Sequence, residues 1–228
     1  MARFRISLRV ALLLMLSFGV ALAVFRCQII VLADNLFGTE LAPKIEIVYS
    51  DSDLVDALKN DPSLARFQFR ASNQWINGGE NRSRIQGFYG AGVEDESRTE
   101  PFVYTNGEPP VLLGNNEGAN PVEYLLHALA GCVTTTTILH AAARGIQIHR
   151  LSTELTGDID LQGFLALDDQ ADVGYESIRI DMNIEADCND EELDELLSFT
   201  RQHSPVCSTV CKPVPVTLKR VKKMRAVA

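Results

Sequence analysis

Residues 121–144 constrain the fold most strongly, because they predict one long helix with defined ends. Asn120 can cap its start, and Pro121 suits the first helical position. Glu123 stands where a capping-box carboxylate would, and Gly145 can terminate the helix. A stripe at three- and four-residue spacing consists of Leu125, Leu129, Cys132, Thr136 and Leu139. The middle of the segment is rich in poor helix formers, so burial must hold it helical, and we predict the central core helix.

The remaining segments predict strands and a second long helix. In chain order, the predicted strands cover residues 67–75, 83–89, 146–160, 175–186 and 214–221. A turn at Asn77-Gly78-Gly79 joins the first two strands, and residues 90–98 are predicted as a loop. The predicted helices cover residues 51–64 and 190–203, and the chain restarts at Ser204-Pro205 as a turn or a short helix. This order of elements indicates an α+β fold.

The first 33 residues have the layout of an export signal or a membrane anchor. Three arginines precede an uncharged apolar run over residues 10–25, and Ala21-Leu22-Ala23 offers a small-x-small cleavage site. The apolar character resumes after Arg26, so an uncleaved anchor with its basic end in the cytoplasm is the alternative. We predict an exported or membrane-associated protein through residues 10–33, and a cytoplasmic protein if that segment is not a genuine targeting signal.

Charge is distributed unevenly along the chain. Residues 34–218 carry 12 basic and 30 acidic side chains, whereas both ends are basic. A body this acidic repels phosphate backbones, which argues against nucleic acid as a partner. We predict a targeting segment over residues 1–33 and an extension with a short helix over residues 34–65. A folded domain over residues 66–221 and a basic, solvated tail over residues 222–228 complete the predicted organisation.

The five cysteines are too few and too irregularly spaced for a disulfide scaffold: Cys27, Cys132, Cys188, Cys207 and Cys211. No pair has Cys-x-x-Cys spacing, and the residues indicate neither a metal site nor a cofactor site. Cys132, inside the predicted core helix, is either a small buried hydrophobe or a nucleophile. A nucleophile needs a nearby cation or hydrogen-bond donor. Cys132 lies eleven residues after Pro121, so the helix dipole cannot supply that stabilisation.

The segment Asn120-Pro-Val-Glu-Tyr-Leu-Leu-His-Ala-Leu-Ala-Gly-Cys132, on a helix ending Ala-Ala-Arg-Gly145, resembles the central helix of the OsmC/Ohr family of thiol-dependent hydroperoxide reductases. The second helix, the Ser204-Pro205-Val206 turn and the Val-Pro-Val segment are similar to that family's second active-site segment. The resemblance covers residues 66–221. It implies curved antiparallel sheets around two core helices, in an intertwined homodimer with active sites at the subunit interface.

The resemblance implies that Cys132 attacks the peroxide and that a second cysteine resolves the sulfenic acid as a disulfide. The family's resolving cysteine begins a Cys-Pro-x-Ser turn. This chain has Ser204 at that position and Cys207 three residues later. In a helix this displacement is about 5 Å, and a disulfide needs Cα atoms within about 7 Å. We therefore predict Cys207 as the resolving thiol, with Cys211 as the alternative.

The family's glutamate and arginine are also displaced. Val122 stands where the family has glutamate, and Glu123 follows one residue later. On an uninterrupted helix, Glu123 would lie about 13 Å from Cys132 along the axis and on the opposite face, so a capping role is the favoured interpretation. Arg82 and Arg84 share one strand face near the family's Gly-Gly-Arg segment, and we choose Arg82.

The candidate catalytic residues are therefore Cys132, Cys207, Arg82 and Glu123. We predict that the protein detoxifies peroxides by cysteine-dependent reduction of organic or hydrogen peroxides through Cys132. A dithiol or a lipoylated reductant would supply the electrons. The alternative is a non-catalytic homodimer of the same fold that binds a small apolar ligand, because Ser204 replaces the second family cysteine.

Overall fold

A computed structural model of the chain describes residues 53–221. The predicted targeting segment (residues 1–33), the start of the extension and the basic tail (residues 222–228) lie outside the described residues. The predicted helix over residues 51–64 consists of two pieces, α1 (Asp53–Asn60) and a 3₁₀ turn (Pro62–Ala65). The break has a local cause. Pro62 lacks the N–H that would continue α1, and the Asp61 carboxylate caps the new turn by accepting a hydrogen bond from the Ser63 amide.

The N-terminal half forms an antiparallel three-stranded sheet in the order β1-β2-β5. Its strands are β1 (Ser72–Asn77), β2 (Glu80–Ile85) and β5 (Phe102–Asn106). The predicted turn between the first two strands is confirmed, with Gly78 at a positive φ of 51°. A separate hairpin pairs β3 (Phe88–Gly90) with β4 (Val93–Asp95).

Three predictions for this half were wrong. The first strand begins at Ser72 because residues 67–71 form only one bridge, between Gln68 and Tyr89. The returning strand ends at Ile85, so the predicted strand over residues 83–89 is two strands in two sheets. The predicted loop over residues 90–98 contains β4, and β5 was missed altogether.

The C-terminal half is built on a long antiparallel hairpin, which confirms two predicted strands. Strands β6 (Ile148–Ile159) and β7 (Tyr175–Ala186) each have 12 residues. A short helix, α3 (Leu161–Phe164), lies in their connection. From Leu151 and Ile178 onward, every second residue of each strand is half-buried, as the strict alternation of β7 predicts. One face therefore packs against the helices and the other faces solvent.

Three helices pack on or beside this hairpin. They are α2 (Pro121–Ala143), α4 (Asp190–His203) and α5 (Pro205–Cys211). The predicted helices over residues 121–144 and 190–203 are confirmed, and the restart at Ser204-Pro205 is a short helix. The core contains Leu129 and Val133 of α2 with Cys207 of α5, packed against the buried face of the hairpin. Among the described residues, α2 is the one helix that is long and apolar enough to cross a membrane, and here it is a core helix.

The predicted strand over residues 214–221 is not formed within the described residues. Pro213 and Pro215 lack the N–H groups that a ladder needs, and no neighbouring strand of the described chain pairs with this segment. Its apolar residues are exposed instead, including Val216 and Leu218.

A buried hydrogen bond between two threonine hydroxyls joins α2 to α4. Thr137 Oγ1 lies 3.1 Å from Thr200 Oγ1, and both side chains are buried. Thr137 also donates to the carbonyl oxygen of Val133 at 2.8 Å. Both hydroxyls are thereby satisfied without water, which fixes the register of α4 against α2.

A ring cluster lies one turn further along the same interface. The rings of Phe199 and His203 stack at 3.7 Å, and the ring of His140 meets Phe199 at 4.6 Å. The Arg144 guanidinium lies 4.3 Å from the Phe199 ring centroid. Burial, followed by the charges of Arg144 and His203, lowers the pKa of His140 below its ordinary value near 6.5.

This cluster predicts a loss of stability in acid. Because the folded state resists protonation of His140 more than the unfolded chain does, its contribution to stability is complete above pH 6.5 and declines as the pH falls through the lowered pKa. We expect the His140→Phe variant to lose less thermal stability than the wild type between about pH 7.5 and about pH 5.5. Circular dichroism melts of the full chain measure this, with His127→Phe as the control. An equal pH response in wild type and His140→Phe would contradict it.

Candidate thiol site

Cys132 lies on the part of α2 that meets the junction between α4 and α5. Its Sγ accepts two hydrogen bonds, one from Ser204 Oγ at 3.2 Å and one from the Val206 amide at 3.4 Å. The amide belongs to the first turn of α5, where backbone N–H groups have no partner within the helix. Both donors would stabilise negative charge on the sulfur, which is the requirement that the position of Cys132 on its own helix cannot meet.

Ser204 is held in place by the two helices that it joins. Its amide donates to the carbonyl oxygen of Thr200 at 2.8 Å, and its carbonyl oxygen accepts from the Ser208 amide at 2.8 Å. The residue is 0% exposed. The Thr137–Thr200 hydrogen bond lies one helical turn before Ser204, so the contact that aligns α4 on α2 also aims the Ser204 hydroxyl at Cys132.

Cys207 lies beside this contact in the core and is 8% exposed. Burial raises the pKa of the Cys207 thiol. The negative charge of an ionised Cys211 and hydrogen bonding with Cys211 raise that pKa further. The nearby Arg201 charge acts in the opposite direction, and Cys132 adds a small further increase. Cys207 therefore stays protonated at neutral pH and becomes a nucleophile only when a base or a higher pH removes its proton.

An apolar pocket of about 390 Å³ opens beside Cys207 and Cys211. Its apolar walls come from α2, β7 and the helices α4 and α5: Leu129, Val133, Ile178, Ile180, Met182, Leu197 and Val210. Arg201 and Thr200 are its polar lining. An apolar ligand in this pocket would lie next to the thiols of Cys207 and Cys211.

The other predicted site residues lie elsewhere in the described chain. Glu123 Oε2 accepts a hydrogen bond from the Asn120 amide at 2.8 Å, which is the capping role that its position favours. Arg82 and Arg84 share the predicted strand face, and Arg82 pairs with Glu80 at 2.9 Å. Neither Arg82 nor Glu123 makes a hydrogen bond or an ion pair with Cys132 within the described residues.

Two contributors to the site were not found from the sequence. Ser204 was interpreted as the loss of a cysteine, although its hydroxyl is a donor to Cys132. Arg201, near the end of α4, supplies the positive charge that acts on Cys207. Arg201 lies six residues before Cys207 in the chain, so the signal that could have identified it was this local spacing. Within residues 53–221, no group of three or more His, Cys, Asp or Glu side chains could hold a metal ion.

The fold is α+β, and its candidate site is a helix cysteine whose sulfur accepts hydrogen bonds from Ser204 and Val206. Residues 114–219 match the family model described as "OsmC-like protein", and this match confirms the resemblance. The match covers 106 of the 228 residues, and over this segment the chain is similar to OsmC-like proteins. Among curated proteins, no sequence matches the chain.

The chain is also similar to three solved structures. An OsmC-like protein from Mycoplasma pneumoniae is 19% identical, with 63% of this chain and 87% of that chain covered and a TM-score of 0.49. An OsmC-like hydroperoxide resistance protein from Jannaschia sp. is 16% identical, with coverages of 69% and 94% and a TM-score of 0.39. An organic hydroperoxide resistance protein from Legionella pneumophila is 12% identical, with coverages of 63% and 88% and a TM-score of 0.41.

The geometry predicts two opposite results from substitutions at Ser204. Ser204→Ala removes one hydrogen bond to Cys132 Sγ, so alkylation of Cys132 by iodoacetamide should slow by about tenfold. Ser204→Cys places a sulfur where the hydroxyl now lies 3.2 Å from Cys132 Sγ, so a mild oxidant should close a disulfide between Cys132 and the introduced thiol. Peptide mass spectrometry reads both results, and Ser208→Ala is the control. Unchanged alkylation in Ser204→Ala would contradict the donor role.

Proposed function

We propose that the protein reduces peroxides through Cys132 with electrons from a dithiol or lipoylated reductant. A peroxide-related role is supported by the family whose model matches residues 114–219. The single observation that carries the proposal is the pair of donors from Ser204 and Val206 on Cys132 Sγ. A cysteine that served only to fill the core would not need two donors.

The proposed reaction has three steps that balance. The Cys132 thiolate attacks one peroxide oxygen, the O–O bond breaks, and the leaving oxygen takes a proton and departs as an alcohol or as water. Cys207 then attacks the sulfenic sulfur, which releases water and forms the Cys132–Cys207 disulfide. The external dithiol reduces this disulfide and becomes a disulfide itself. Because the pKa of Cys207 is raised, the second step should accelerate with rising pH.

The pocket beside Cys207 supports organic peroxides as the substrate class. Its lining is mainly aliphatic, and its volume of about 390 Å³ suits a small apolar molecule. The same pocket favours the second candidate function, a protein that binds an apolar ligand and does no thiol chemistry. The two functions differ in one respect that can be measured, namely whether Cys132 is oxidised by a stoichiometric amount of peroxide.

We propose an intertwined homodimer on the basis of the surface that the described chain leaves open. All six residues of β1 are exposed, and Trp75 and Phe102 are 70% and 52% exposed on one face of the sheet. A three-stranded sheet needs one covered face to be stable. The middle of α2 also has an open face, since a Cβ added at Gly131 would meet nothing within 4 Å. A second copy of the chain would cover both.

Arg82 enters this proposal through the dimer. It lies on the other face of the same sheet, and its side-chain partner in the described chain is Glu80. Its proposed catalytic role therefore requires that β2 approach the partner subunit's Cys132. Export or membrane association through residues 10–33 is also a proposal, and cell fractionation of the full-length product tests it.

We expect the purified full chain to consume cumene hydroperoxide in the presence of a dithiol, and Cys132→Ser to reduce this to the rate without protein. The reason is that no other described thiol has two donors on its sulfur. Cys188→Ser is the matched control and should retain full activity, because Cys188 precedes α4 at the end away from Ser204. Equal turnover in wild type and Cys132→Ser would sink the peroxidase assignment and favour the ligand-binding function.

The single tryptophan gives a direct test of the dimer. Trp75 is 70% exposed in one copy of the chain, so dissociation should shift its emission to the red. We expect blue-shifted emission and a mass of two chains by sedimentation at high concentration, and the red shift on dilution. A monomer mass together with red emission at all concentrations would disprove the dimer.

A further inference from the structure

Two thiols lie on one face of α5 with opposite exposure. Cys207 is buried in the core, and Cys211, four residues later, is exposed. Both thiols border the same apolar pocket. The peroxide reaction proposed above uses only Cys207, so the second member of this pair has no role in it.

The spacing of the pair permits a disulfide. Residues four apart in a helix are separated by about 6 Å along the axis, and disulfides join Cα atoms about 4.4–6.8 Å apart. Cys211 is also the last residue of α5, and Lys212 already has extended backbone at φ −131° and ψ 140°. Closure of the disulfide would therefore disturb only the final helical turn.

Cys211 further borders a second recess of about 410 Å³, which is lined by polar side chains of α4 and the end of α5, including Ser198, Gln202 and Lys212. A reductant in solvent can reach Cys211 through this polar recess, whereas Cys207 is only 8% exposed. The two pockets lie on either side of one thiol, and one of them is apolar and the other polar.

We propose that Cys207 and Cys211 form a redox-active dithiol that carries oxidation from the core to the surface. Its first step rests on the proposed peroxidase function. After the Cys132–Cys207 disulfide has formed, the Cys211 thiolate attacks Cys207 Sγ. The Cys207–Cys211 bond forms, and Cys132 leaves as a thiolate and is ready for another peroxide. The external dithiol then reduces the exposed Cys207–Cys211 disulfide.

The dithiol can be tested without any peroxide. The full-length Cys132→Ser variant is equilibrated with oxidised dithiothreitol, its free thiols are alkylated, and the peptide that contains both cysteines is weighed. We expect this peptide to be unalkylated and two hydrogens lighter, with an internal disulfide that reduced dithiothreitol reopens. Recovery of Cys207 and Cys211 as separately alkylated thiols under full oxidation would overturn the proposal.

The relay is tested by adding one equivalent of cumene hydroperoxide to the wild-type full chain. We expect a Cys207–Cys211 disulfide and free Cys132, whereas Cys211→Ser should stop at the Cys132–Cys207 disulfide. Cys188→Ser should behave like the wild type. A wild-type protein that stops at Cys132–Cys207 would overturn the relay, and so would equally fast closure of the pair in Cys132→Ser. If Cys132 is not oxidised by the peroxide but the pair closes with oxidised dithiothreitol, the peroxidase function fails and the dithiol stands.

Discussion

The site depends on the buried hydrogen bond between Thr137 and Thr200. Both hydroxyls are enclosed by the packing of α2 on α4, and each is the other's partner. Removal of the Thr137 hydroxyl would leave the buried Thr200 hydroxyl without this partner, at a cost of about 1–3 kcal/mol. The larger consequence is positional, because one helical turn later the chain reaches Ser204 and then the first amides of α5. A shift of α4 along α2 would move both donors away from Cys132 together.

Because residue 204 is a serine, the contact with Cys132 and the resolution of its sulfenic acid cannot both fall to this residue. A cysteine there would both contact Cys132 and resolve its sulfenic acid, whereas Ser204 can only donate a hydrogen bond. In the proposed reaction, resolution passes to Cys207, whose burial and neighbouring thiol raise its pKa. The sulfenic acid on Cys132 should therefore persist longer at neutral pH than it would beside an ordinary thiol. In the proposed relay, Cys211 takes the oxidation from the buried thiol to the surface.

The elements that could be predicted from the sequence are those whose type and ends are set by local pattern. The long helix has a capping box and a terminating glycine, and β7 alternates strictly, so both were found with their ends nearly correct. The short strands β3, β4 and β5 depend on pairing with distant residues and were misplaced or missed. At the site, the motif predicts Cys132 as the candidate nucleophile. The hydrogen bond from Ser204 was not predicted, because it depends on the contact of two helices whose residues are 72 positions apart in the chain.

The two halves of the described chain differ in how much of their apolar surface they bury. The C-terminal half encloses a core between the β6–β7 hairpin and three helices, whereas the sheet β1-β2-β5 leaves aromatic residues in solvent. Association that covers this sheet would stabilise the folded state by mass action, and more strongly at higher protein concentration. The N-terminal half would then be the part whose stability depends on concentration. The thiol contacts around Cys132, which lie wholly within the C-terminal half, would persist in a dissociated chain, but any contribution from Arg82 would be lost with the partner.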